Sequence, residues 1–169
     1  MQEMINNFNY YVMLSAKIEL LNILENNKYK ESRFLRSDII SDQEDMLYDT
    51  TSDRKKLKNV EKEVQVLSAE IELNKLTMEN LSKTIKQELN RLNDKQADTI
   101  KKVFKSELDK LVQQLVELNK QDESVETYEQ MRNLRNKIRH HIKAGDYFHI
   151  YYVHEDEIFD ALTQGTLER

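Results

Sequence analysis

LKNVEKEVQVLSAEIELNKLTMENLSKTIKQELNRL, residues 57–92, decides how this chain folds. Leu57, Val60, Val64, Leu67, Ile71, Met78, Leu81, Ile85 and Leu92 keep a three-and-four rhythm that only Asn74 and Glu88 interrupt. Such a rhythm holds one side of an α-helix apolar along its length, which is the seam of a coiled coil. The spacing predicts one continuous helix over 54–93, about 60 Å long at a rise of 1.5 Å per residue. An apolar stripe of that length must lie along another helix, either of its own chain or of a second copy.

Little in the rest of the chain opposes helix. Proline is absent and glycine occurs twice in 169 residues, so the usual helix breakers are nearly missing. Residues 3–26 place Phe8, Tyr11, Ile18, Leu21 and Leu24 at helical spacing, and 28–48 do the same with Tyr29, Leu35, Ile39 and Leu47. Ser41 to Glu44 has the form of a capping box and is a point where that second helix divides. Thr50 to Asp53 reads as a loop, with Asp53 as the cap of the long helix. Around Asn93 to Ala97 the register shifts, which predicts a kink or short turn. Ile100, Phe104, Leu108, Leu111, Leu115 and Leu118 then carry a stripe to about Lys120. Beyond Gly145 the β-prone run Tyr147 to Val153 predicts an extended segment or short strand. Glu155 and Asp156 open a last helix, with Ile158, Phe159 and Leu162 inward and Gly165 at its end.

Composition removes several kinds of chemistry. Without cysteine there are no disulfides, no thiol nucleophile and no cysteine-type zinc site. The longest apolar run, Tyr10 to Leu14, is far too short for a bilayer span, and no basic leader with an apolar run opens the chain. Cytoplasmic is the default location and no membrane is expected. A net charge of −5 speaks against a nucleic-acid binder, yet Arg132 to Lys143 holds Arg132, Arg135, Lys137, Arg139 and Lys143 with no acid among them. A local patch of that density can grip phosphate on an acidic protein.

That patch belongs to SVETYEQMRNLRNKIRHHIKAG, residues 124–145. Ser124 suits an N-cap, Glu126 suits the positive end of the helix dipole, and the basic run with Gly145 suits the other end. Tyr128, Met131, Leu134, Ile138 and Ile142 make one apolar face, and Arg135 falls about 20° from Ile142 within it. A guanidinium on a face expected to be buried needs an acid, a water-filled cleft or a bound anion.

Arg135-Asn136 followed by three residues and His140 resembles the R-x4–6-H motif of the HEPN superfamily, as do the flanking LRNKIRHH and the short tail after it. The resemblance implies an all-helical, commonly dimeric domain found in RNases of bacterial toxin and antiviral defence systems. It implies metal-independent RNA cleavage at a cleft shared by two chains. Arg135 would stabilise phosphate, His140 would transfer protons and Asn136 would position them. Arg132, Lys137, Arg139, His141 and Lys143 would bind RNA. His141 also fits the motif's permitted spacing. The chemistry is coherent, because an imidazole titrates near neutrality and a guanidinium binds phosphate oxygens in pairs. On one helix, however, residues five apart diverge by about 140°, so convergence would require the second chain. The plain alternative is a basic helix end that offsets the helix dipole.

Other features have two readings each. His140, His141, His149 and His154 lie beside Glu155, Asp156 and Glu157, a collection that can ligate metal, but none shows a sharp i, i+4 ligand pair and no metal or cofactor is expected. Tyr147 to Tyr152 either stacks on bases or covers the end of the core. The heptads from Leu57 to Leu118, with Arg54, Lys55, Lys56, Lys58 and Lys62 at their start, resemble loosely the last long helix of sorting-nexin BAR regions, implying a dimer that binds curved membrane. The expected architecture is a single all-α domain over 1–169. It is a helical bundle of about five helices with one long coiled-coil-like helix, homodimeric, acting as an endoribonuclease or RNA-binding effector. A partner protein of a defence system accompanies that reading; the BAR-like dimer and a non-catalytic helical adaptor are the alternatives.

Overall fold

A computed structural model describes residues 2–44, 50–121, 124–156 and 158–159, and every one of its long elements is helical. Helix α1 spans Gln2–Glu44, α2 Thr51–Asn90, α3 Asp94–Asn119 and α4 Val125–Tyr147. The all-α class is therefore correct. Four long helices form in place of about five, because α1 runs unbroken through Asn26, Asn27 and Ser41, where a break was expected. Its buried positions explain the continuity: Leu14, Leu21, Ser32 and Ile39 recur at steps that keep them on one face, so burying that face favours one helix over two. Two helices of about 60 Å result, α1 of 43 residues and α2 of 40.

Asp53 lies in the first turn of α2 and does not cap it, since the helix begins at Thr51. The turn expected near Asn93 exists. Arg91 to Asn93 leaves the helix, and Asn93 caps α3 through a reciprocal capping box with Gln96, satisfying two backbone donors at once. Ser124 caps α4 by accepting from the Thr127 backbone N–H at 3.0 Å.

The chain divides into two compact units. In the unit of residues 17–77, α1 and α2 pair antiparallel, with Lys17 bonded to Glu70, Lys28 to Glu63 and Arg36 to Glu61. The heptad seam of α2 therefore finds its partner within its own chain, with Val60, Val64 and Ile71 buried. Asn74 is buried in that series as well, and its side-chain N–H group carries no hydrogen bond. An unpaired buried amide costs about 1–3 kcal/mol.

In the unit of residues 1–16 and 78–169, two apolar clusters form the core. Met4, Phe8, Tyr11 and Val12 of α1 meet Ile85, Ile100, Phe104, Phe148 and Ile150. Leu108 and Leu115 of α3 pack on Leu134, Ile138 and Ile142 of α4. Phe8 and Phe104 lie with ring centroids 4.1 Å apart, both fully buried.

The segment after α4 departs most from expectation. Helix continues through Gly145 to Tyr147, and no strand forms among the described residues. Termination falls to His149, which takes a left-handed φ of 54°, the geometry usually left to glycine. The Ile150 N–H then returns to the Gly145 carbonyl at 2.9 Å, satisfying one of the last-turn acceptors. Phe148 and Ile150 are buried while Tyr152 is exposed, so this run covers the core's end. Residues 155–156 and 158–159 are helical; Leu162 and Gly165 lie outside the described residues.

Replacing Asn74 by Leu is expected to stabilise the protein by about 1–3 kcal/mol, by removing the unpaired amide and extending the seam. Urea denaturation of both proteins checks it, and a lower midpoint for Asn74→Leu would overturn the account of the seam.

Candidate functional site

Helix α4 buries an arc from Ile142 through Ile138 and Leu134 round to His141, Gly145, Ala144 and His140. Arg135 lies about 20° beyond Ile142, just outside the end of that arc away from the histidines, and is exposed. The expectation that it shares the buried face is thus corrected. The two histidines and Ala144 draw the buried arc away from it, and Tyr128, counted on for the apolar face, is 69% exposed.

The basic residues separate by direction. Arg132, Arg135, Lys137 and Lys143 are exposed, and Asn136 is half-buried. Arg139 donates from Nε to Glu155 at 2.8 Å. His140 is 4% exposed, with Nδ1 in a 2.8 Å hydrogen bond with the Ser15 hydroxyl of α1. Arg135 and His140 of one chain therefore leave α4 towards different surroundings. Among the described residues no group of three or more histidines and carboxylates converges as a metal site.

His141 has the more informative environment. It is 3% exposed, with Phe8 against its ring at 5.2 Å between centroids, edge to face, and Tyr151 stacked on it. The Tyr151 hydroxyl donates to the His141 carbonyl at 2.9 Å and also bonds the His141 Nδ1. One phenol thus meets both the carbonyl and the ring of the same residue, which holds the imidazole in one orientation. The other ring nitrogen, Nε2, is buried without a hydrogen bond. Burial lowers the His141 pKa from 6.5 to about 4, so the ring is neutral at physiological pH. Tyr151 is pushed up, first by burial and then by the negative charges of Glu107 and Asp109.

His141 forms part of a cleft of about 450 Å³ walled by α1, α3 and α4, with Val12, Leu111, Glu107, Lys110 and Lys137 among its lining. One oxygen of Glu107, Oε2, is also buried without a hydrogen bond. Lys110, Gln114 and Lys137 further border a larger groove of about 720 Å³ between α3 and α4. Gln113, Gln121, Gln130 and Asn133 line its length. The arrangement combines neutral amides, the amines of Lys110 and Lys137 and the carboxylates of Glu107 and Glu117, a set suited to binding a polar ligand.

Sequence reasoning named Lys137 and His141 but missed Glu107, Lys110 and Tyr151. Glu107 was discoverable: it stands three residues after Phe104 and four before Leu111, so it shares their inward face. Comparison with known proteins finds no matching family model, no matching curated protein and no matching solved structure. No helix among the described residues is long and apolar enough to cross a membrane.

Two outcomes are expected. Gly145 faces the Tyr151 ring so closely that an added Cβ would collide with it; Gly145→Ala should cost about 1–3 kcal/mol by displacing that ring, read as a lower thermal midpoint. The His141 pKa is depressed in the folded state, so its contribution is present above pH 6.5 and is lost as pH falls towards 4. A loss on the order of 3 kcal/mol is expected over that window. Stability measured across it, with His141→Gln as comparison, checks the assignment; an unchanged pH dependence in the variant would refute it.

Proposed function

We propose that this chain is an RNA-binding effector of the kind its Arg135–His140 resemblance implies, working in the cytoplasm as a homodimer. The observation that carries the reading is the α3–α4 groove, bordered by Lys110 and Lys137 and lined with side-chain amides. Arg132, Arg135 and Lys143 are exposed on another side of α4 from the groove-lining Asn133 and Lys137, so a strand would pass round the helix to meet them. Glutamine and asparagine offer donors and acceptors to unpaired bases, and lysine and arginine neutralise the backbone. The negative net charge is no obstacle when cations cluster on one element.

Cleavage is the further step that the family resemblance adds. His140 is buried and bonded to Ser15, so a cutting centre would need both a second chain that brings Arg135 near it and a rearrangement that frees the imidazole. A helical adaptor is the second reading. It is favoured by apolar side chains left exposed in residues 17–77, among them Leu20, Leu24, Val66 and Leu73, a pattern that marks protein contact. A partner from a defence system would bind there.

Retardation of single-stranded RNA by the purified protein tests the proposal. Binding should weaken with salt, and the Arg132→Ala, Arg135→Ala, Lys137→Ala triple variant should bind about tenfold or more weakly with a shallower salt slope. No retention of RNA at low salt would sink it. RNA degradation in EDTA, lost on His140→Ala and on Arg135→Ala, would establish the nuclease step.

A further inference from the structure

Helix α1 carries a second apolar row that its own chain leaves uncovered. Leu20, Ile23 and Leu24 are each about half exposed, roughly 110° round the helix from the buried row of Leu21, Ser32 and Ile39. The charges in line with Leu24 have a mirrored order. Lys17 stands seven residues before it and Glu31 seven residues after it, and both are exposed. Seven residues make two turns, about 10 Å along the axis, so the three side chains lie nearly in one line. We propose that this row joins two copies of the chain, α1 against α1 in antiparallel order, with Leu24 facing Leu24 at the two-fold axis. The contact gives a surface to the homodimer of the RNA-binding reading and rests on that reading for the dimer itself.

A two-fold contact sets one patch against itself, so the patch must be its own complement. Antiparallel order meets that condition here: Lys17 of each copy comes opposite Glu31 of the other, once on either side of the axis. Parallel order would set lysine on lysine and glutamate on glutamate, which disfavours it. Lys17 already bonds Glu70 of its own chain at 2.7 Å, and Glu31 bonds Lys28 at 2.9 Å. The contact would join those two exposed pairs into a row of alternating sign, Glu70–Lys17–Glu31–Lys28, and leave no charge facing its like. Leu20 and Ile23 lie about one turn or less from Leu24, so the apolar side chains of both copies gather at the axis while the charges flank them, as in a paired helical seam.

The exposed row of α2 lacks this device. Val66 and Leu73 are exposed, but the positions seven residues beyond them on either side are Asn59 and Asn80, with no charge to choose an orientation. One helix face offers less than the ~800 Å² per partner of a standard interface, so the α1 contact makes a reversible dimer that forms with rising concentration.

Sedimentation velocity of the full chain across the micromolar range tests the contact, and mass should rise towards that of a dimer. Leu24→Glu, at an exposed position, should keep the helical circular dichroism and weaken association at least tenfold, since it sets two carboxylates in the apolar centre. The chain has no native cysteine, so single cysteines report orientation cleanly. On mild oxidation Leu24→Cys should link to itself and Glu31→Cys should not, whereas a mixture of Lys17→Cys and Glu31→Cys proteins should link to each other. A dimer untouched by Leu24→Glu, or Glu31→Cys linking to itself as readily as Leu24→Cys, would overturn this face and leave the homodimer standing. A monomer at every concentration would overturn face and homodimer together, and retardation of RNA by that monomer would keep RNA binding alone.

Discussion

A single phenol fixes the geometry on which the rest depends. The Tyr151 hydroxyl bonds both the backbone carbonyl and the ring of residue 141, which ties the chain after α4 back onto the helix it has just left. Gly145 makes this contact possible, because any side chain there would occupy the ring's place. The pair does more than close the end of the core. It also holds the His141 ring in one orientation beside the cleft between α1, α3 and α4.

The same region shows how polarity is managed in a helical core built without proline and almost without glycine. Four aromatic or imidazole rings, those of Phe8, His141, Phe148 and Tyr151, meet where α1 and α4 come together. Each ring buries a large surface, and edge-to-face packing adds a modest attraction beyond that burial. His140 sets its Nδ1 against a hydroxyl of α1, which gives a buried polar ring atom a partner inside the core.

The heptad run made the helical class legible, because the spacing of Val60, Val64 and Ile71 follows from helix geometry alone. Which helix it would meet was not legible, since a stripe is equally content against its own chain or another. The caps Asn93 and Ser124 could be read, as both depend on residue type and local spacing. Two readings failed for tertiary reasons. The strand reading of Tyr147 to Val153 finds no neighbouring strand among the described residues, and the run instead turns and covers the core's end, the other reading its composition allowed. Arg135 was placed on the apolar face by counting Tyr128 and Met131, whereas burial on α4 is set by what α1 and α3 present to it. Of the candidate site, Lys137 and His141 were visible in the basic run. Glu107 hid within a leucine stripe, and Tyr151 hid within an aromatic one.

Lys110, Gln114 and Lys137 each border both hollows of the α3–α4 surface. Cleft and groove are for that reason not independent compartments: an anion seated in one draws on the amines that would neutralise an anion in the other. A small anion held at one hollow would consequently compete with a longer polyanion at the other rather than share the wall with it.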